Sequence, residues 1–220
     1  GREFPKAFWE VLAKRCLKSM HLLNAMELTI MAKAFDVHQP QLAPMLDVYR
    51  PMAVQVINSK APVPGLALTV LTDILPRYLK TQDETKDLLR CLARRSADVM
   101  WEIPIEGAVQ FLEGLTQVGQ RDAALCRRVA KKLQVHLQDD DHLLPGRAAS
   151  VFAAQDHRDL ELFRCLFAAA LRAVEGGGPE AEKCGQDVLD SAEKLEIDLD
   201  EAAALRNALL HSKAIFQNKS

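Results

Sequence analysis

Aromatic side chains are scarce in this sequence: eight Phe, two Trp and two Tyr in 220 residues. That leaves little material for stacking unpaired bases, the usual device of sequence-tolerant single-strand binders. An excess of one charge is lacking too. The 28 Lys and Arg face 30 Asp and Glu, which excludes a strongly basic domain held on nucleic acid mainly by counterion release. No apolar run reaches the length that spans a bilayer. Glycine is sparse, ten in all, and Gly65, Gly107 and Gly114 make no phosphate-cradling loop. Cys16, Cys91, Cys126, Cys165 and Cys184 are too dispersed for a zinc motif, and they read as buried free thiols of a reducing compartment. HExxH, CxxC and GxSxG are all missing, and the six histidines are scattered. No catalytic constellation, metal site or cofactor fingerprint emerges, so a non-enzymatic role without cofactors is expected.

What the chain does have is helix-forming apolar sequence. Hydrophobic residues make up 49% of it, Leu and Ala dominate, and strand-type alternation is missing. The expected class is all-α. Sliding the sequence against itself by about 40 residues brings LTIMAKAF (28–35), LTVLTDIL (68–75), AVQFLEGL (108–115) and AASVFAAQ (148–155) into one register. Met31, Leu71, Phe111 and Val151 then superimpose, as do Phe35, Leu75 and Leu115, with Gln155 breaking the second column. Pro64 and Pro104 share a place just before these helices, where a missing N–H costs least. The clearest unit is PIEGAVQFLEGLTQVGQRDAALCRRVAKKLQVHL (104–137), two amphipathic helices around a polar turn at 119–122. Such a hairpin cannot bury both apolar faces alone and needs a similar neighbour on each side. The expected architecture is a right-handed α-solenoid of stacked helical hairpins.

Residues 4–20 read as a second helix without its first, with Phe8, Trp9, Leu12, Cys16 and Met20 inward. Hairpins follow over 22–57, 66–100, 104–137 and 147–174, with Pro51 inside one helix and NSKAPVPG (58–65) as punctuation. QDDDHLLPG (138–146) is a solvated turn; its aspartates lack the spaced ligands of a calcium loop, and His136 and His142 flank it. The repeat domain is expected over 4–174, a Gly-rich linker over 175–179, and a helical pair over 180–217 that caps the stack. Charge follows this division. Residues 1–150 carry 20 Lys and Arg against 17 Asp and Glu, and residues 151–220 carry 8 against 13. Because the first residue is Gly1 rather than Met, a removed presequence, a trimmed chain and a longer parent protein all stay open.

The second helices carry the candidate binding residues. Arg90, Arg94 and Arg95 align at a 37-residue shift with Arg127, Lys131 and Lys132, next to Arg128; Lys14, Arg15 and Lys18 form a comparable set. Arg90 with Arg94, and Arg127 with Lys131, are i,i+4 pairs that share a helix face. Stacked side by side they make a ridge that suits a phosphate backbone. The alternatives are a solvated face whose long stems cover apolar neighbours, or a surface for acidic proteins.

The aliphatic first helix ending in AKAF (32–35), and the leucine-rich second helices DLLRCL (87–92) and DLELFRCL (159–166), resemble organellar α-hairpin repeats. These are the heptatricopeptide and octotricopeptide repeats of FAST-kinase-like and RAP-type mitochondrial proteins; HEAT repeats are similar too. The opening FWEVLAKR (8–15) looks like the start of such tracts in alveolate mitochondrial proteins. The resemblance implies a mitochondrial matrix protein that binds RNA or is built into an RNA-containing assembly. The chain departs from that family in its few repeats and in having no RAP-like segment. A structural subunit of a mitochondrial ribosome, touching ribosomal RNA and ribosomal proteins, is therefore expected over a stand-alone processing factor. The competing expectation is a protein-only scaffold: an accessory subunit of a respiratory or ATP-synthase complex, or a cytosolic HEAT-like adaptor.

Overall fold

Apolar periodicity near 3.6 residues sets the elements. The computed structural model describes residues 4–38, 43–79, 82–137 and 143–217. Among these the regular elements are all helical: α1 (Lys6–Ser19), α2 (Ala25–His38), α3 (Ala43–Ile57), α4 (Gly65–Tyr78), α5 (Gln82–Val99), α6 (Ile105–Gln117), α7 (Ala123–His136), α8 (Leu144–Ala154), α9 (Leu160–Gly176), α10 (Pro179–Lys194) and α11 (Asp200–Gln217), with a 3-10 turn at Met20–Leu22. The all-α class is thus observed. The three adjacent aspartates and His142 lie outside the described residues.

The helix starts have local causes. Asn24 and Glu27 cap α2 reciprocally: the Glu27 amide donates to Asn24 Oδ1 at 2.9 Å and the Asn24 amide to Glu27 Oε2 at 2.8 Å. Pro64 and Pro104 are the N-cap residues of α4 and α6. Asp122 and Asp159 each accept an amide from three residues on, Leu125 and Leu162, both at 2.9 Å. Gly119 turns the chain after α6 with φ of 66°. The Gly-rich stretch narrows to Gly177 and Gly178, because Glu175 and Gly176 belong to α9 and Pro179 opens α10.

The chain forms two compact units, residues 1–120 and 121–220. In the first, α2, α4 and α6 pack in series, as do α1, α3 and α5, and each of α2 to α5 also packs on the helix that follows it. In the second, α9 packs on α7 and α11, α10 packs on α8, and α8 to α11 pack each on the next.

The aligned columns are core except at Met31, which is half-buried. Leu71 and Phe111, then Phe35, Leu75 and Leu115, are fully buried. Gln155 is buried as well, and its side-chain carbonyl accepts the Asp122 amide at 3.1 Å. The break in the column therefore fixes the start of α7. Phe8 differs from expectation: it is 41% exposed, because Trp9, Ala13, Cys16 and Met20 at i, i+4, i+7 and i+11 form the buried face of α1. The glycines that make no phosphate loop have a packing role. A Cβ on Gly114 would lie 2.7 Å from both the carbonyl oxygen and Cγ2 of Thr72, so glycine sets the α4–α6 approach. None of the five cysteines forms a disulfide, and burial pushes Cys16 up to about 11 and Cys126 up to about 12.

The first unit also holds a polar cluster. Asp36, its side chain 7% exposed, accepts the Tyr78 hydroxyl at 2.8 Å and Arg77 Nη1 at 2.9 Å, and Arg77 also pairs with Asp73 at 2.6 Å. Burial alone raises the Asp36 pKa, but the Tyr78 hydrogen bond and the Arg77 charge outweigh it and hold the carboxyl below its usual range. A lowered folded pKa means stability that is fully present above the ordinary Asp value of 3.8 and is lost as pH falls through the lowered one. Acid titration of wild type against Asp36→Asn checks this: the loss below that value should shrink in the variant, and identical acid limbs would refute it. Tyr49 stacks on Tyr78 with ring centres 5.0 Å apart, and its buried hydroxyl has no hydrogen-bond partner among the described residues. Tyr49→Phe is therefore expected to hold or raise stability by about 1 kcal/mol, measured by urea denaturation. A loss of that size would show that the hydroxyl is partnered.

Candidate nucleic-acid interface

The ten basic residues read as one ridge sort into separate groups. On α5, Arg90 pairs with Asp87 and donates to the Gln120 side chain, both at 3.2 Å. Arg95 turns the other way. Its Nε and Nη2 donate to the Ile57 carbonyl at 3.1 and 2.8 Å, and Nη2 also donates to the Ser59 carbonyl. A guanidinium there satisfies orphan carbonyls at the C-terminus of α3 and meets the negative end of its dipole. Arg94, one residue earlier, is exposed and forms no ion pair among the described residues.

The other basic rows lie on α1 in the first unit and on α7 in the second. Lys14, Arg15 and Lys18 on α1 are exposed and unpaired among the described residues. Between α1 and α5 lies α3, whose Arg50 is bonded to Glu84. In the second unit, Arg127, Arg128 and Lys131 are exposed on α7 and likewise unpaired among the described residues. Lys132 is not part of that face. It is 4% exposed, and burial lowers its pKa. Its place in the ridge is corrected: spacings of seven from Leu125 and three from Val129 put it on the buried side of α7. On α9, Arg164 pairs with Glu161 at 2.7 Å, and Arg172 donates to the Leu137 carbonyl at 3.1 Å, where α7 ends.

Arg95 and Arg172 thus do the same work on different helices. Each reaches the C-terminal end of the helix two before its own, over 38 and 35 residues of sequence. Arg95→Ala is expected to cost about 1.5–3 kcal/mol, since charged hydrogen bonds to carbonyls of limited exposure are lost. Arg94→Ala should stay within about 0.5 kcal/mol. Denaturation of the two variants side by side decides; equal losses would mean that the two arginines are not sorted as described.

The α7 face carries three exposed cations at the same spacing as Lys14, Arg15 and Lys18 on α1, but without an acidic residue on the helix. Arg127, Arg128 and Lys131 fall within one arc, with the exposed Val135 a turn further on, and α7 contains no carboxylate. Near-neighbour cations with no internal counter-charge attract phosphate oxygens or carboxylates from outside. Among the described residues, no cluster of His, Cys, Asp and Glu could hold a metal, and no helix is long and apolar enough to cross a membrane. No family model matches the sequence, and no curated protein is significantly similar to it.

Proposed function

We propose that this chain is a non-catalytic α-hairpin-repeat scaffold, a right-handed solenoid with a C-terminal helical cap, that works as a structural subunit of an RNA-containing assembly. The observation that carries this reading is the free cationic face of α7, set in units whose helices pack in two parallel series. Arg127, Arg128 and Lys131 would meet ribosomal RNA, and the remaining helix faces would meet ribosomal proteins. The mitochondrial ribosome and the matrix follow from the repeat resemblance. A gradient sedimentation of the tagged endogenous protein tests it. Co-migration with ribosomal particles that collapses on RNase supports the reading, and migration in an RNase-insensitive complex overturns it.

A second reading is favoured by a specific observation. Arg90 is ion-paired, Arg95 caps the end of α3 and Lys132 is buried, which leaves fewer cations to face a phosphate backbone. That supports a protein-only scaffold, such as an accessory subunit of a respiratory or ATP-synthase complex or a cytosolic adaptor.

A further inference from the structure

We propose that the outward face of α1 is a docking site for an amphipathic helix of another protein, apolar at one end and acidic at the other. This goes beyond RNA contact at α7 and does not depend on it. Phe4, Phe8 and Val11 are 54%, 41% and 57% exposed, and the Phe4 and Phe8 rings stack at 4.6 Å. At 100° per residue, Phe8, Val11, Arg15 and Lys18 share one face of the helix, with Lys14 at its margin. The apolar residues fill the N-terminal half of that face and the cations fill the C-terminal half. Across the whole helix, Lys6, Lys14, Arg15 and Lys18 stand against Glu10 alone.

Two features select a protein helix as the occupant. In the first unit, α3 packs between α2 and α4, and α5 between α4 and α6. By contrast α1 packs on α3 and meets α2 through Trp9, which stacks on His38 at 5.0 Å, and leaves Phe4, Phe8 and Val11 exposed among the described residues. Charge gives the other feature. Three unpaired cations beside an apolar anchor call for carboxylates on the partner, which fix its direction and register. A membrane surface fits less well. An in-plane helix separates apolar and basic residues around its axis, whereas here they separate along it, so seating Phe8 and Val11 in lipid would drag Arg15 and Lys18 with them.

The test uses the full chain and two labelled peptides of about 18 residues, roughly the length of α1 with a turn to spare. One carries leucines opposite Phe4 to Val11 and glutamates opposite Lys14 to Lys18; the other has lysines in place of the glutamates. Fluorescence anisotropy should show the glutamate peptide binding at least about tenfold more tightly. Arg15→Glu with Lys18→Glu should reverse the preference, and Phe8→Glu with Val11→Glu should abolish binding of both, with melting temperatures unchanged. The proposal is overturned if the glutamate peptide fails to bind or binds no better than its lysine counterpart. Binding that survives the Phe8 and Val11 changes overturns it too, as does retention on phosphatidylserine vesicles without peptide binding.

Discussion

Gly114→Leu is expected to remove about 3 kcal/mol or more from the stability of the first unit. The first added carbon already lies 2.7 Å from the Thr72 carbonyl oxygen, a backbone atom that cannot rotate away. Relief requires α6 to move off α4, and that separation also loosens Phe111 and Leu115, both fully buried. Overpacking of a close-packed core costs about 1–3 kcal/mol for small additions, and leucine adds a whole side chain. Gly114→Ala is the milder case, since about 1 kcal/mol of helix propensity offsets part of the clash. Gly176→Ala is the control: its Cβ meets nothing within 4 Å and the residue ends α9, so stability should hold or rise by about 0.4–1 kcal/mol. Urea midpoints for the three variants rank them. If Gly114→Leu melts like wild type, the α4–α6 approach is not as close as described.

On the proposed reading of α7 as an RNA face, reversing the charges of Arg127, Arg128 and Lys131 together should weaken RNA binding while leaving stability nearly unchanged. All three are exposed, and no ion pair within the described residues is lost with them. If each contacts one phosphate, the three account for about 2–3 units of the slope of log affinity against log salt. Polyuridylate binding at several salt concentrations measures this. A slope unaltered in the variant would remove α7 from the interface. The same reversal at Arg95 would be uninformative, because the fold itself depends on that guanidinium.

Helices and buried columns were legible because spacing near 3.6 residues reports one helix face directly, as with Phe35, Leu75 and Leu115. The Gln155 anomaly was visible, but its partner was not, since a bond to the Asp122 amide spans 33 residues of sequence. Gly114 could be excluded from a phosphate loop without revealing the helix it lies against. Arg94 and Arg95 are adjacent and look equivalent, yet 100° of helical rotation sends one to solvent and the other to the end of α3. Lys132 carried a usable signal in its spacing from Leu125 and Val129, which outweighs its charge as a guide to burial. Phe8 was drawn inward by hydrophobicity alone, although the i, i+4, i+7 series from Trp9 already defined the inner face.

Ultraviolet cross-linking of the native protein in cells, with RNA-modified peptides located by mass spectrometry, tests the central claim most directly. RNA adducts are expected on peptides from α7 around Arg127 to Lys131, and none from the helix ends held by Arg95. A protein without RNA adducts, or with adducts confined to the acidic pair α10 and α11, would contradict it.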